Sequence, residues 1–230
     1  MDKGRWDRLA PLGGVVFAIA FIVFLLIAGA PPKAGDPASD VVSFFTDNRG
    51  SVLTGSFIVF AGVLAMLWFV GSLVTAMREA GEERLAVTAL ASFLLAFALG
   101  GAAVLMRAAL AFDVARTVDA NTAKGLYETT LILDLMTGVV FAGFAFAVAA
   151  AAMRTSFVPR AWGFVCAVLG LLFVVSGTAW SESGFWSPTG GLVLIANLAF
   201  LAFVLGTSVF HFRAVTHGET QPMHRTAAAH

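Results

Sequence analysis

Six stretches of this chain, 11–30, 53–77, 86–111, 126–152, 161–180 and 190–210, are almost wholly apolar and about as long as a bilayer is thick. A hydrocarbon core of about 30 Å needs about 20 helical residues at 1.5 Å rise each. Lipid offers no hydrogen bonds, so a crossing backbone must satisfy its own, which a helix does. The chain is therefore expected to be an all-α membrane protein. Residues 1–212 would form a single domain, a six-transmembrane-helix bundle, with 213–230 as a disordered cytoplasmic tail. Composition agrees: 59% of the 230 residues are hydrophobic and 12% charged, against about 25% charged in soluble domains. The first stretch opens with Lys3, Arg5 and Arg8 as a signal peptide does, but its apolar run exceeds an h-region of about 7–15 residues. Pro31 and Pro32 also follow the one small-residue candidate cleavage site. It is read as a retained helix.

Orientation follows from Lys and Arg in the short connections. With the N-terminus inside, Lys3, Arg5, Arg8, Arg78, Arg84, Arg154, Arg160, Arg213 and Arg225 fall on one side; Lys33, Arg49, Arg107, Arg116 and Lys124 fall on the other. That distribution places both termini in the cytoplasm. Trp180 and Trp186 flank the last outer turn, where amphipathic rings favour the interface. Only three of the 14 basic residues are Lys, a usage that fits a high-GC bacterium and so a bacterial cytoplasmic membrane.

The longest outer connection, 31–52, carries a signal of its own. Asp36-Pro37 reads as an N-cap followed by proline at the first helical position, and Val41, Val42, Phe44 and Phe45 alternate with Asp40, Ser43 and Asp47. A short amphipathic helix near 37–48 is predicted, either on the membrane surface or over the end of the bundle.

Helices in lipid associate where small residues let backbones approach. Gly163, Gly170 and Gly177 mark such a face on the fifth stretch. Ser92, Ala96, Gly100 and Ala103 form another on the third, and four residues further it reaches Arg107. The fourth stretch has Gly138, Ala142, Ala145 and Ala149, and the same face extends back to Asp134. A charge in hydrocarbon costs about 2.5–3.5 kcal/mol on insertion scales, so it turns inward and finds a partner. Arg107 and Asp134 lie toward the same end of consecutive antiparallel stretches and are predicted to pair. Asp134 would then be a clamp that fixes helix register or, alternatively, a proton carrier or ligand for a cation. The clamp is the expected role, because a carboxylate paired with a guanidinium is a poor proton donor. Tyr127, Thr130 and Thr137 share the face of Asp134. With Asn197, Ser176 and, at the rim, Glu128, Asp113, Arg116 and Glu182, they are expected to line a cup open to the outside. Asn197 is expected to hydrogen-bond across helices, and Glu128 to be a solvated carboxylate near a helix N-terminus.

Other chemistries lack their residues. His211, His217, His224 and His230 all fall at or beyond the end of the last stretch and are expected to be solvated, so no metal site or haem, and no cofactor, is predicted. Cys166 is the single cysteine, buried in an apolar run. No stretch holds a lysine for a Schiff base, and no phosphate-binding loop or nucleophile elbow is present. A net charge of zero gives no field for nucleic acid.

The turn Arg154-Thr155-Ser156-Phe157-Val158-Pro159-Arg160-Ala161-Trp162-Gly163 resembles the Arg-Ser-Gly-x-x-Pro-Arg-x-Leu-Gly signature of the bacterial membrane proteins grouped as domain of unknown function 4386. The segment Phe44-Phe45-Thr46-Asp47-Asn48-Arg49-Gly50 is similar to that family's actinobacterial relatives. Thr155-Ser156 and Trp162 depart from the signature. The resemblance spans most of residues 8–212 and implies a six-helix membrane protein with no established activity or site. With no catalytic set visible, the expectation is a non-enzymatic module that binds a lipid or apolar ligand, or a partner membrane protein, from the outer side. A proton-coupled transporter gated by Arg107 and Asp134, or an intramembrane lipid or isoprenoid enzyme using Asp134 or Glu128 as its acid, are the alternatives.

Overall fold

The computed structural model describes residues 9–155 and 157–218. Lys3, Arg5, Arg8, Ser156, His224, Arg225, His230 and the tail beyond 218 lie outside the described residues. Those described form helices and no strand. We label them α1 (Gly13–Ala28, entered through a 3₁₀ turn Ala10–Leu12), α2 (Ala38–Asp47), α3 (Arg49–Glu79), α4 (Glu83–Ala109), α5 (Ala120–Arg154), α6 (Arg160–Ser176) and α7 (Gly191–Gly218). Five are long and apolar enough to cross a membrane: α1 with its entry turn, α3, α4 with its extension to Thr117, α5 and α7. The protein is thus all-α and of multi-pass membrane type.

Helix α6 is shorter than the stretch 161–180: its last carbonyls close i+3 turns, Thr178 N on Val175 O at 3.0 Å and Ala179 N on Ser176 O at 3.2 Å. Just past its end, the Thr178 carbonyl accepts from the Trp186 indole at 2.7 Å and from the Trp180 amide at 3.0 Å, so the helix does not resume. Its 17 residues span about 26 Å.

Helix α4 is longer than expected. A π turn at Leu110–Val114 carries it on to Thr117. The Phe112 carbonyl there accepts from Arg49 Nε at 3.1 Å, and the same guanidinium lies 5.4 Å from the Phe112 ring. Helix α3 ends as its sequence dictates: Gly81 at φ 87° is the left-handed residue of a Schellman cap, in which Glu82 N reaches Met77 O at 3.0 Å and Gly81 N reaches Arg78 O at 2.9 Å.

Helix α2 departs from the predicted capping. Pro37 is its N-cap, and the Asp36 carboxylate turns back to the Lys33 amide at 2.7 Å. The helix lies over the end of the bundle. Val41 and Phe45 are buried against Leu110, Ala111, Ala115, Ala123 and Tyr127.

Helices α1 and α3 to α7 pack in chain order, each on the next, and α7 returns to α1. Glycines explain the tight seams. A Cβ at Gly177 would lie 2.2 Å from Val139, one at Gly170 2.6 Å from Phe146 and one at Gly163 3.0 Å from Ala152, so the glycine face of α6 lies on α5. On α5, a Cβ at Gly143 would meet Ser92 Oγ at 2.5 Å; on α4, one at Gly100 would meet Thr137 at 3.3 Å. These contacts set an antiparallel register in which Arg107 arrives beside Thr130 and Asp134. Within the ring, Phe17, Phe93, Phe141, Phe144, Phe173 and Phe203 form the apolar core, with Phe141 and Phe200 rings 5.0 Å apart.

His211 differs from its expected solvated place. Helix α7 runs past residue 210, leaving the His211 side chain buried, with Nε2 3.2 Å from Ser72 Oγ on α3. The hydroxyl offers the imidazole a partner that water does not supply inside the bundle.

Candidate functional site

The register of α4 and α5 brings Arg107 and Asp134 together. Arg107 Nη2 donates to Asp134 Oδ2. Arg107 Nε donates to Thr130 Oγ1 at 3.0 Å, and Thr130 spends its own proton on the Tyr127 carbonyl at 2.7 Å. The Tyr127 hydroxyl in turn donates to the Pro32 carbonyl in the connection between α1 and α2. Lys124 Nζ donates to the Asp36 carbonyl at 2.9 Å. One polar chain therefore runs from that connection, through α5, to the guanidinium on α4.

Burial along this chain is uneven. Tyr127 and Thr130 are fully buried, the Tyr127 ring lying 5.6 Å from Phe45 of α2. The Arg107 side chain is 19% exposed and Asp134 37%. Both side chains of the pair therefore reach the surface of the bundle.

The arrangement corrects the expected cup. Helix α2 roofs Tyr127, its Val41 and Phe45 sharing one buried apolar cluster with that ring. Thr137 Oγ1 bonds the Leu133 carbonyl of its own helix at 2.8 Å, and Ser176 Oγ bonds Phe173 O at 2.8 Å. Asn197 is half-buried and makes no hydrogen bond to the described residues, contrary to the interhelical bond expected of it. Glu128 pairs with Lys124 at 3.6 Å. Asp113, Arg116 and Glu182 are exposed.

What the roof leaves open is a small apolar cavity of about 90 Å³ where α1 ends and α3 begins. Phe24, Leu25, Ala28, Phe45, Val52 and Val104 line it, and Arg107 is its one charged wall. The Arg107 N–H groups beyond those given to Thr130 and Asp134 have no partner among the described residues. A guanidinium carries five donors, so this wall can still bind an oxygen acceptor. The cavity was missed in the sequence because it joins residues from four helices that share no periodic signal.

Asp119, just outside α5, caps that helix. Its carboxylate accepts from Thr122 Oγ1 at 2.5 Å and from the Thr122 and Asn121 amides, each at 3.1 Å. The Thr122 hydroxyl, then its amide, hold the carboxyl below its ordinary 3.8. Among the described residues no group of three or more His, Cys, Asp or Glu is placed to hold a metal ion. Cys166 is buried.

Compared with known proteins, the chain matches no family model, no curated protein and no solved structure.

Proposed function

We propose that this is a six-span bacterial inner-membrane protein with cytoplasmic termini, α6 being the sixth crossing, and that it binds an apolar molecule bearing an oxygen-rich head. The resemblance to domain of unknown function 4386 belongs to this reading and supports its topology. The observation that carries the ligand is the Arg107 wall: a guanidinium with free donors, fixed by Thr130 and Asp134, facing an apolar cavity. The cavity takes the head and the first few methylenes. The rest of the chain lies along Ile22, Leu25 and Leu26, which α1 exposes at the same end. Asp134 then acts as a clamp that aims the guanidinium, and the protein is not an enzyme.

Oleate is the probe. Native mass spectrometry of the detergent-purified protein should show oleate retained by the wild type and lost by about tenfold in Ala28→Phe, which fills the cavity, since a displaced acyl head forfeits a charge-assisted bond of about 1.5–3 kcal/mol. Equal retention by the two proteins would remove the reading.

The exposure of Asp134 favours one alternative, a proton-linked permease. Proteoliposome uptake of a candidate solute abolished by Asp134→Asn would support it, and uptake indifferent to that change would count against it. The acid-enzyme alternative is disfavoured because both carboxylates it could use are paired, Asp134 with Arg107 and Glu128 with Lys124.

A further inference from the structure

At the opposite end of the bundle from Arg107, three arginines surround a hollow. Arg154 ends α5, Arg160 begins α6 and Arg213 lies in the last turns of α7; Phe157, Val158 and Phe210 supply its apolar floor, and its volume is about 720 Å³. The three elements are held in fixed relation. Trp162 Nε1 donates to Thr207 Oγ1 at 3.0 Å, and the Trp162 ring lies 5.2 Å from that of Phe210. Trp162 also fills the space a Cβ at Gly206 would need, at 2.1 Å.

The charges around the hollow do not cancel. Arg154 Nη1 is 3.6 Å from Glu82 Oε2. The guanidinium groups of Arg160 and Arg213 have no partner among the described residues. The first turn of α6 adds to the same sign: its N-cap is Pro159, which offers no side-chain acceptor, so the amides of Arg160 and Ala161 remain donors. An apolar floor beneath an uncancelled positive rim selects an amphiphilic anion. A track for its chains continues from the rim. Phe164, Val168 and Leu171 follow Arg160 on one face of α6, and all three are exposed. The shortness of α6 sets Arg160 within about 26 Å of that helix's far end, at the depth of the headgroups rather than in water beyond them.

We propose that this hollow is a binding site for the phosphodiester headgroup of an anionic phospholipid, with Arg160 and Arg213 as its phosphate ligands and Arg154 completing the rim. Guanidinium forks suit phosphate because two N–H groups engage two oxygens at once. The acyl chains lie along α6. The site is separate from the Arg107 cavity and shares with the function proposed above only the premise that the chain sits in a bilayer.

The test uses the full chain released from nanodiscs holding equal phosphatidylglycerol and phosphatidylcholine, with bound lipid read by native mass spectrometry. The wild type should retain phosphatidylglycerol over phosphatidylcholine. Arg160→Gln combined with Arg213→Gln should lower that retention by about tenfold or more. Arg84→Gln, an exposed arginine at the same end but outside the hollow, should leave it unchanged. If the double Gln variant loses its helical circular dichroism, Arg160→Lys with Arg213→Lys keeps the charge but not the fork and should show a smaller loss of the same sign. Equal retention of the two lipids, a folded double variant that holds phosphatidylglycerol as the wild type does, or an Arg84→Gln protein that loses as much would each overturn the assignment. Displacement of the lipid by an equal concentration of inorganic phosphate would overturn it in favour of a soluble phosphate ligand.

Discussion

The two sides of α1 are built differently. Toward α3 it is tight from end to end: a Cβ at Gly13 would lie 2.1 Å from the Ala65 carbonyl oxygen, one at Gly62 2.6 Å from Ala20 and one at Gly55 3.0 Å from Phe24. Toward α7 the recorded contacts belong to its first half. Ser208 Oγ donates to the Pro11 carbonyl, Gly14 lies against Ser208, and the rings of Phe17 and Phe21 meet Phe200 at 6.0 and 5.6 Å. Beyond that, α1 buries no residue after Ala18, Leu26 is 77% exposed, and Leu194, Ile195 and Leu198 of α7 are exposed as well. Small residues let two backbones meet along a whole crossing, whereas rings hold them apart at points.

This contrast can be broken by substitution, and the largest effect is expected on the tight side. Gly13→Val drives a side chain into a backbone oxygen that cannot turn away. It should destabilise the protein by about 3 kcal/mol, read as a lower midpoint in detergent-titrated unfolding. Next comes the α4–α5 clamp. Arg107→Met should cost about 2–4 kcal/mol by leaving Asp134 unpaired; adding Asp134→Leu should recover most of the loss, because both charges are then gone. Full additivity of the two single changes would show that the residues do not interact. Trp162→Phe, which removes the indole donor to Thr207 and keeps the ring, should cost about 1 kcal/mol. On the loose side, Leu26→Ala should stay within about 0.5 kcal/mol in the same unfolding assay, and a larger loss would mean that the second half of α1 is covered.

The smallest effect is one of pH. The Asp119 carboxyl titrates lower in the folded protein than in the unfolded chain, so its capping contribution is complete above the ordinary value near 3.8. That contribution is lost as pH falls through the lower folded value. Asp119→Asn keeps an acceptor for the α5 amides and should flatten this part of the acid-unfolding profile, while Asp119→Ala should weaken the protein even at neutral pH.

Much of this architecture is legible in the residues. Hydropathy marks helix after helix because lipid forces the crossing segments to be apolar. The small-residue faces of α4 and α5 lead to Arg107 and Asp134, since backbone approach and charge burial demand the same side of a helix. What escapes such reading is set by single tertiary partners. The indole of Trp186 keeps α6 from resuming, a π turn carries α4 on to Thr117, and Ser72 draws His211 inside. The closing of the cup depends on Phe45 meeting Tyr127, residues far apart in sequence on different helices. The arginine hollow escapes too: Arg154 and Arg160 read as topology signals, and Arg213 joins them only because α7 runs beyond its apolar stretch.

The bonds that fasten the α1–α2 connection to α5 have a consequence for how the chain assembles. Pro32 and Asp36 wait for Tyr127 and Lys124, partners more than eighty residues downstream. Insertion proceeds from the N-terminus, so α1 and α3 enter the bilayer with the ends that flank α2 unroofed. The polar anchors of this connection exist only once α5 has arrived, so the end of the bundle that α2 covers is completed by the fourth long helix of the bundle rather than by the neighbours α2 was made beside.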